Sequence, residues 1–211
     1  MKKLFSLLVV APALGLLSLS TGPAGSADPT APTGLPIGSP LPKADIRVKD
    51  VSGKVITLAE TKGANGLLVM FSCNTCPYVI RNQSRTKAVC GYAHGHQIGV
   101  VLLNANSGDR NGGNSFEAMQ AYAKAQDYGW YYALDDKSVL ADAFGASRTP
   151  ECFLFDKNGR LVYHGAIDDS PGDPGRVERH HLQIAIDEML AGKEISVKET
   201  RSVGCSISRQ E

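Results

Sequence analysis

The sequence predicts an α/β domain in which a mixed central sheet is flanked by helices. Two short apolar runs, residues 67–71 and 98–103, are separated by a polar segment of helical length, which is the pattern of a strand, a helix and a second strand. Such units are right-handed and place their strands in parallel. A Thr-Pro pair at positions 149–150 then precedes two strand-like runs joined by a tight turn, which adds an antiparallel pair to the sheet.

The other elements follow in a regular order. A turn at residues 50–53 joins two short strands into a hairpin near the start of the domain. The helix between the two apolar strands is expected at about residues 74–90, with Pro77 in its first turn, where a missing N–H is least harmful. The remaining helices are predicted at residues 116–127, 138–144 and 178–190, and the remaining strands at residues 131–134, 151–155 and 161–164.

The first 27 residues have the pattern of a secretory signal peptide. Two lysines precede a mainly apolar stretch, and small residues occupy the positions before a cleavage site at Ala27. The apolar stretch is interrupted by Pro12 and is too short to span a bilayer comfortably. We therefore expect an exported protein, periplasmic or secreted, with no stable membrane insertion after the signal is removed.

The rest of the chain divides into three parts. Residues 28–42 are rich in proline and predict a solvated lead-in arm. Residues 43–192 carry the predicted domain, and residues 193–211 form a tail that contains Cys205. A formal net charge of +1 and the lack of a long run of Lys or Arg argue against nucleic acid as a partner. No sequence pattern implies a cofactor.

Cys73 and Cys76 form a Cys-x-x-Cys pattern at the end of the first apolar strand. If Cys73 is the N-cap of the following helix, the unpaired N–H groups and the dipole of that helix stabilise its thiolate. Cys76 is then close enough to form a disulfide with Cys73 or to resolve a mixed disulfide. A structural zinc site requires four ligands, and no second Cys-x-x-Cys or suitably spaced His pair is present. In an oxidising compartment such a pair acts on disulfides or peroxides.

Three further cysteines make the total odd, so at least one is unpaired in a monomer. On one helix Cys90 and Cys76 would lie about 21 Å apart, far beyond the roughly 4.4–6.8 Å between the Cα atoms of a disulfide. Cys90 is therefore expected to pack as a small apolar residue at the end of the helix. Cys152 lies on an apolar core strand and is expected to be buried and inert. For Cys205, an additional redox role and a structural role both stay open.

Together these motifs resemble the peroxiredoxin-like branch of secreted thioredoxin-family proteins, the redoxin or AhpC/TSA-like group. The matching stretches are residues 71–79 (FSCNTCPYV), 149–156 (TPECFLFD), 156–169 (DKNGRLVYHGAIDD) and 202–207 (SVGCSI). The resemblance implies a thioredoxin-like fold with Cys73 and Cys76 as the redox pair. It also implies that Pro150 is a cis-proline packed against this pair and that the backbone of Thr149 holds an extended substrate.

The chain departs from the patterns of the families it resembles in ways that bear on the reaction. Cys76 corresponds in position to the peroxidatic cysteine of peroxiredoxins, but Val69 and Cys73 stand where those proteins carry a proline and a threonine. Thioredoxins bury an acid in the strand before the helix, and residues 67–71 contain none. Glu151, at the start of the strand after the Thr-Pro pair, is the candidate for proton transfer near the sulfurs, although a strand-end glutamate more commonly faces solvent.

The sequence thus predicts an exported thiol–disulfide oxidoreductase. In this reaction Cys73 attacks a substrate disulfide, Cys76 displaces the product, and an external redox partner resets the pair. The expected substrates are protein or small-molecule disulfides and thiols. One alternative is a thiol peroxidase that reduces hydroperoxides through Cys76. A second alternative is a non-enzymatic protein that binds Cu(I) or Zn, because thiolates favour these ions.

Overall fold

The structure is a computed structural model that describes residues 34–210, so the predicted signal peptide and the first part of the lead-in arm lie outside the described residues. Strands β1 to β5 are Val48–Asp50, Val55–Ile56, Gly66–Ser72, Ile98–Asn104 and Tyr131–Leu134, and strands β6 to β9 are Arg148–Thr149, Glu151–Asp156, Leu161–Gly165 and Cys205–Ser206. Helices α1 to α5 are Leu58–Thr61, Pro77–Gly95, Phe116–Gln126, Val139–Phe144 and His181–Leu190. No helix in this part of the chain combines the length and the hydropathy needed to cross a bilayer.

Seven of these strands form one mixed sheet in the order β2-β1-β5-β4-β3-β7-β8, and the other two, β6 and β9, pair with each other. β4 runs parallel to β3 and β5, whereas β7 is antiparallel to β3 and β8. The predicted α/β fold, the parallel pairing of the two apolar strands and the antiparallel pair after Pro150 are confirmed. Since β3, β4 and β5 are parallel, the loops that follow them meet at one edge of the sheet.

Helices cover both faces of the sheet, and side chains of the central strands alternate between those faces. All seven residues of β3 are buried. Leu68 and Met70 lie in a first core together with residues of α2, α3 and α5. Val69 and Phe71 lie in a second core together with residues of α1 and α4. A strand covered on both faces is apolar throughout, which is why β3 and β4 are recognisable in the sequence.

Helix α2 begins at Pro77, and its N-cap is Cys76. The expectation that Cys73 caps this helix is therefore wrong. Proline is favoured at the first helical position because its φ angle is already helical and because an N–H there would have no partner within the helix. Pro77 thus places the start of the helix at the second cysteine, and Cys73 lies in the turn between β3 and α2.

Residues 34–42 lie against the domain, so the expectation of a solvated arm is wrong for this part of the chain. The Leu35 N–H donates to the Phe144 carbonyl at 2.9 Å. The side chains of Leu35, Ile37 and Leu41 pack against the second core. Their burial offsets the ordering of a segment whose proline content alone predicts an exposed chain.

Candidate active site

Three cysteines meet at the carboxyl end of the parallel strands. Cys73 follows β3, Cys76 caps α2, and Cys205 lies in β9. Cys76 and Cys205 form a disulfide with a Cα–Cα distance of 6.0 Å, and Cys73 is a free thiol. Cys73 and Cys76 are 3% and 2% exposed. Because Cys76 is bonded to the tail in this structure, the redox pairing of Cys73 with Cys76 stays a prediction.

Thr149 contacts both of the sulfurs that precede α2. Its peptide bond to Pro150 is cis, as the resemblance implied. The Cys73 sulfur lies 3.5 Å from the Thr149 hydroxyl oxygen, and the Cys76 sulfur lies 3.3 Å from the Thr149 carbonyl oxygen. A disulfide sulfur carries no hydrogen, so the second of these is a close contact. A reduced Cys76 thiol has a hydrogen to donate to the same carbonyl.

The tail covers the backbone of Thr149. β9 pairs antiparallel with β6, so that Cys205 lies opposite Thr149 and Ser206 lies opposite Arg148. A Cβ atom added at Gly204 would overlap the Thr149 carbonyl, which shows how closely the two backbones approach. The surface that the resemblance assigns to an extended substrate is therefore covered by the chain's own tail. Substrate binding by Thr149 and Pro150 stays a prediction.

Glu151 is buried, at 2% exposed, rather than facing solvent. One of its carboxylate oxygens accepts the N–H groups of Ser147 and Arg148, both at 2.9 Å. The other lies 2.7 Å from His164 Nε2. These contacts engage both oxygens and fix the segment that contains β6, the strand that pairs with the tail. A role for Glu151 in proton transfer stays a prediction, and its observed contacts are those of a positioning residue.

The buried side-chain amide of Asn114, in the loop that follows β4, binds the turn between Cys73 and Cys76. The Asn114 side-chain oxygen accepts the Asn74 N–H at 3.0 Å, and the Asn114 amide nitrogen donates to the Thr75 hydroxyl at 3.2 Å. The Tyr132 hydroxyl donates to the Asn74 side-chain oxygen at 2.8 Å. The Tyr132 hydroxyl is protonated at neutral pH even at its ordinary pKa, and burial raises that pKa further. The sequence analysis did not predict these contacts. The one sequence feature that pointed to them is the asparagine-rich loop at residues 104–114.

Cys90 and Cys152 lie in the first core and have no exposed surface, so the prediction that they are buried is confirmed. Burial raises the pKa of both thiols above the ordinary value, and the nearby Glu151 carboxylate raises that of Cys152 further. A thiol held in its protonated form is a poor nucleophile and a poor metal ligand. Within residues 34–210, no three His, Cys, Asp or Glu side chains are grouped so as to hold a metal ion.

Solved structures share this arrangement of strands and helices. A hypothetical protein from Sinorhizobium meliloti is 35% identical over 84% of this chain and 97% of its own, with a TM-score of 0.75. An uncharacterized conserved protein from Geobacillus kaustophilus is 29% identical over 83% and 93% of the two chains, with a TM-score of 0.77. PrxQ from Xylella fastidiosa is 14% identical over 75% and 97%, with a TM-score of 0.57, and shares the fold alone. The fold is thioredoxin-like.

The family follows from the sequence match. The Redoxin family matches residues 36–179, which is more than half of the chain, so the chain belongs to the redoxin family. It is a redox protein of the thioredoxin superfamily. No curated protein matches the chain. The matched region ends before the tail, so the contacts of Cys205 are known from this chain's own geometry.

Proposed function

We propose that the protein is an exported thiol–disulfide oxidoreductase in which Cys73, Cys76 and Cys205 exchange disulfides with a substrate. The observation that carries this proposal is the disulfide between Cys76 and Cys205 at the start of α2, with the free thiol of Cys73 in the same small buried cluster. A thiol next to a disulfide is the arrangement of reactants that exchange requires.

Cys76 is the sulfur to which we assign the attack on the substrate. As the N-cap of α2 it stands before a first turn whose N–H groups have no partners within the helix. Pro77 has no N–H, which leaves those of Tyr78 and Val79. Together with the helix dipole they favour a thiolate once Cys76 is reduced. The sequence alone gave this role to Cys73, and the position of the N-cap supports Cys76 instead.

The proposed cycle balances with one external dithiol. The Cys76 thiolate attacks a substrate disulfide RS–SR′, which forms a mixed disulfide between Cys76 and R and releases R′S⁻ to take up a proton. The thiolate of Cys73 or Cys205 then attacks the Cys76 sulfur, forms a disulfide with it and releases RS⁻. A partner dithiol reduces the new disulfide and is itself oxidised. The same steps in reverse oxidise a substrate dithiol.

Export belongs to the proposal as well. It is supported by the signal-peptide pattern of the first 27 residues, which lie outside the described part of the chain. An oxidising compartment supplies both disulfides and newly exported thiols as substrates. Expression of the full chain in a bacterium with a periplasm tests this point. We expect the protein in the periplasmic fraction with a mass that lacks the signal, and full-length protein retained in the cytoplasm would contradict export.

A thiol peroxidase is the second candidate, because the observed disulfide is also the product of peroxide reduction. The Cys76 thiolate takes one oxygen atom from a hydroperoxide ROOH, which gives a sulfenic acid and, with a proton, the alcohol ROH. The Cys205 thiol then condenses with the sulfenic acid to give the Cys76–Cys205 disulfide and water. Val69 and Cys73, at the positions of the peroxiredoxin proline and threonine, argue against this candidate.

Cysteine variants of the reduced full-length protein test the assignment. Each variant is mixed with glutathione disulfide, and the products are identified by mass spectrometry. We expect Cys76→Ser to react much more slowly, because the remaining thiols of Cys73 and Cys205 are not at the N-terminus of α2, and the double variant Cys73→Ser/Cys205→Ser to accumulate one glutathione on Cys76. Cys90→Ala, in the first core, is the matched control and should react as the wild type does.

Two outcomes would change the conclusion. Reaction of Cys76→Ser at the wild-type rate would contradict the assignment of the attacking sulfur. Oxidation of Cys76 by cumene hydroperoxide much faster than by glutathione disulfide would favour the peroxidase.

A further inference from the structure

The tail is bound as an extended peptide beyond the two residues of β9. The Ile207 N–H donates to the Ser147 carbonyl at 3.0 Å, which continues the pairing with the β6 segment. Further along, the Gly108 N–H donates to the Ser208 carbonyl at 3.0 Å. Proteins commonly bind peptides in this way, by adding an extended segment to an exposed strand through main-chain hydrogen bonds. The site is therefore built to accept an extended chain.

Three tail residues are fixed by contacts that depend on residue type. At Gly204 any Cβ atom would overlap the backbone of β6. The Ile207 side chain is 5% exposed and packs in the second core. The Arg209 guanidinium donates to the Asp142 carboxylate at 2.8 Å and to the Ala146 carbonyl at 2.9 Å. Position by position, the surface accepts glycine, an aliphatic residue and arginine.

The residues between these positions are much less restricted. Ser206 and Ser208 are exposed, as alternation along an extended strand requires. The Ser206 hydroxyl accepts one hydrogen bond, from Arg148 at 2.9 Å. With Cys205 bonded to Cys76, the contacts define the pattern Gly-Cys-x-aliphatic-x-Arg.

We propose that the surface under residues 204–210 is a peptide-binding site for partner proteins. This surface, the tail groove, is formed by β6, residues 106–108, Asp142 and Ala146. It selects extended segments with the pattern Gly-Cys-x-aliphatic-x-Arg whose cysteine forms a mixed disulfide with Cys76, and the tail is its tethered occupant. The inference rests on the proposed function, because a partner enters through exchange at Cys76.

The tail leaves the groove by a disulfide transfer that requires no outside reagent. The Cys73 thiolate attacks the Cys76 sulfur, a Cys73–Cys76 bond forms, and the bond to Cys205 breaks. The Cys205 thiolate takes up the proton that Cys73 lost, so the chain holds one disulfide and one thiol before and after. A partner thiolate then attacks the Cys76 sulfur, forms the mixed disulfide and releases Cys73.

Competition with the tail makes the groove selective. After the transfer, the tail is held by noncovalent contacts that a partner segment with the same pattern also makes. A short tether keeps the tail at an effective concentration on the order of millimolar. A partner that lacks the aliphatic residue therefore loses to the tail, and one that lacks the arginine competes less well, whereas a matching partner competes and is then captured covalently at Cys76.

Activated peptides test the groove on the full-length protein. The protein carries Cys73→Ser and Cys205→Ser, so that Cys76 is the reacting thiol of the site. The probe is the peptide SVGCSISRQ, residues 202–210, with its cysteine activated as a mixed disulfide with 2-nitro-5-thiobenzoate. Attack by Cys76 joins the peptide to the protein and releases the coloured thiolate, whose absorbance gives the rate. Comparison peptides replace Ile by Asp, replace Arg by Glu, or shuffle the order.

We expect the matching peptide to react about tenfold or more faster than the Asp peptide, because a buried aliphatic contact is lost. The advantage over the Glu peptide should be about two- to fivefold, since an exposed ion pair contributes little. In the protein, Ile207→Asp should speed capture of the matching peptide by removing the competing tail. Val203→Asp, at an exposed position outside the pattern, is the matched control and should leave the rate unchanged.

The outcomes separate the two proposals. Equal rates for the matching and the shuffled peptides would overturn the tail groove. In that case, continued reaction of Cys76 with the small reagent 5,5′-dithiobis(2-nitrobenzoate) would leave the proposed function standing. Loss of both reactions would contradict the proposed function itself.

Discussion

Cys73 and Cys76, at the end of the parallel strands, are almost as buried as Cys90 and Cys152 in the first core, but different elements cover the two pairs. Cys73 and Cys76 lie beside β6 and the two-residue strand β9. Cys90 and Cys152 lie within a core built from the sheet and three helices. A short terminal strand opens locally, whereas a core opens when the whole domain unfolds. We therefore expect the reactivity of each thiol to depend on how readily its covering element opens more than on its exposed area.

The electrostatic surroundings of the two sets of cysteines also differ, and they too favour reactivity at the end of the sheet. Cys76 stands at the N-terminus of α2, where a thiolate is favoured. Cys152 lies on β7 between Met70 of β3 and Gly165 of β8, and burial raises its pKa. Both differences support the proposed exchange at the end of the sheet and a packing role for the core thiols.

Thiol alkylation is expected to show the largest difference between the two regions. In reduced native protein, iodoacetamide should modify Cys73, Cys76 and Cys205 through local opening of the tail. Cys90 and Cys152 should react at least about 10³-fold more slowly, because they become accessible on global unfolding, which costs roughly 5–15 kcal/mol. Mass spectrometry of the modified peptides measures each rate. Equal rates for the two sets would show that the cover makes no difference.

The second largest effect concerns the stability that the bond to Cys205 provides. The disulfide joins residues separated by 129 positions, and closing a loop of that size restricts the unfolded chain strongly. Reduction should therefore lower the free energy of unfolding by roughly 2–4 kcal/mol. Urea unfolding with and without a reductant measures the change. Cys205→Ser should have the stability of the reduced wild type. Equal free energies of unfolding for the oxidised and reduced forms would show that the disulfide does not restrict the unfolded chain enough to stabilise the fold.

Substitution of a core thiol should affect stability and leave exchange intact. Cys152→Ser places a hydroxyl among apolar side chains, and an unpaired buried hydroxyl costs about 1–3 kcal/mol. Because Cys152 takes no part in the proposed cycle, the rate with glutathione disulfide should stay at the wild-type value. Cys152→Ala, which removes the sulfur without adding a polar group, is the control. A large loss of exchange in a folded Cys152→Ser protein would remove the distinction between the two regions.

The elements defined by local sequence were predictable, and the contacts between distant segments were not. The apolar runs of β3 and β4 and the Thr-Pro pair before β7 carry their own signals, because burial on both faces and the geometry of proline act within a few residues. Burial of Cys90 followed from its place in the predicted helix. The pairing of Cys205 with Cys76 depends on where a tail folds back, which no local pattern specifies.

Two other features of the site show the same limit. The polar segment after Cys73 predicts a helix from about residue 74, but the preference of proline for the first helical position moves its start to Pro77. Glu151 was the candidate for proton transfer, with a solvent-facing strand end as the more common alternative, and its burial contradicts that alternative. Two of its partners, the N–H groups of Ser147 and Arg148, are local, but the third, His164, reaches it only when β7 and β8 are paired.

The smallest effects are expected from two glycines, one in each region. Gly91 follows Cys90 on α2, and an added Cβ atom there meets no atom within 4 Å, so Gly91→Ala should stabilise the domain by about 0.5–1 kcal/mol. At Gly204 the added atom overlaps the Thr149 backbone. Gly204→Ala should therefore loosen the tail and speed alkylation of Cys73 in reduced protein, with little change in urea unfolding. If Gly91→Ala stabilises as expected but Gly204→Ala leaves the alkylation rate unchanged, β9 does not control access, and polarity alone must account for the difference between the two regions.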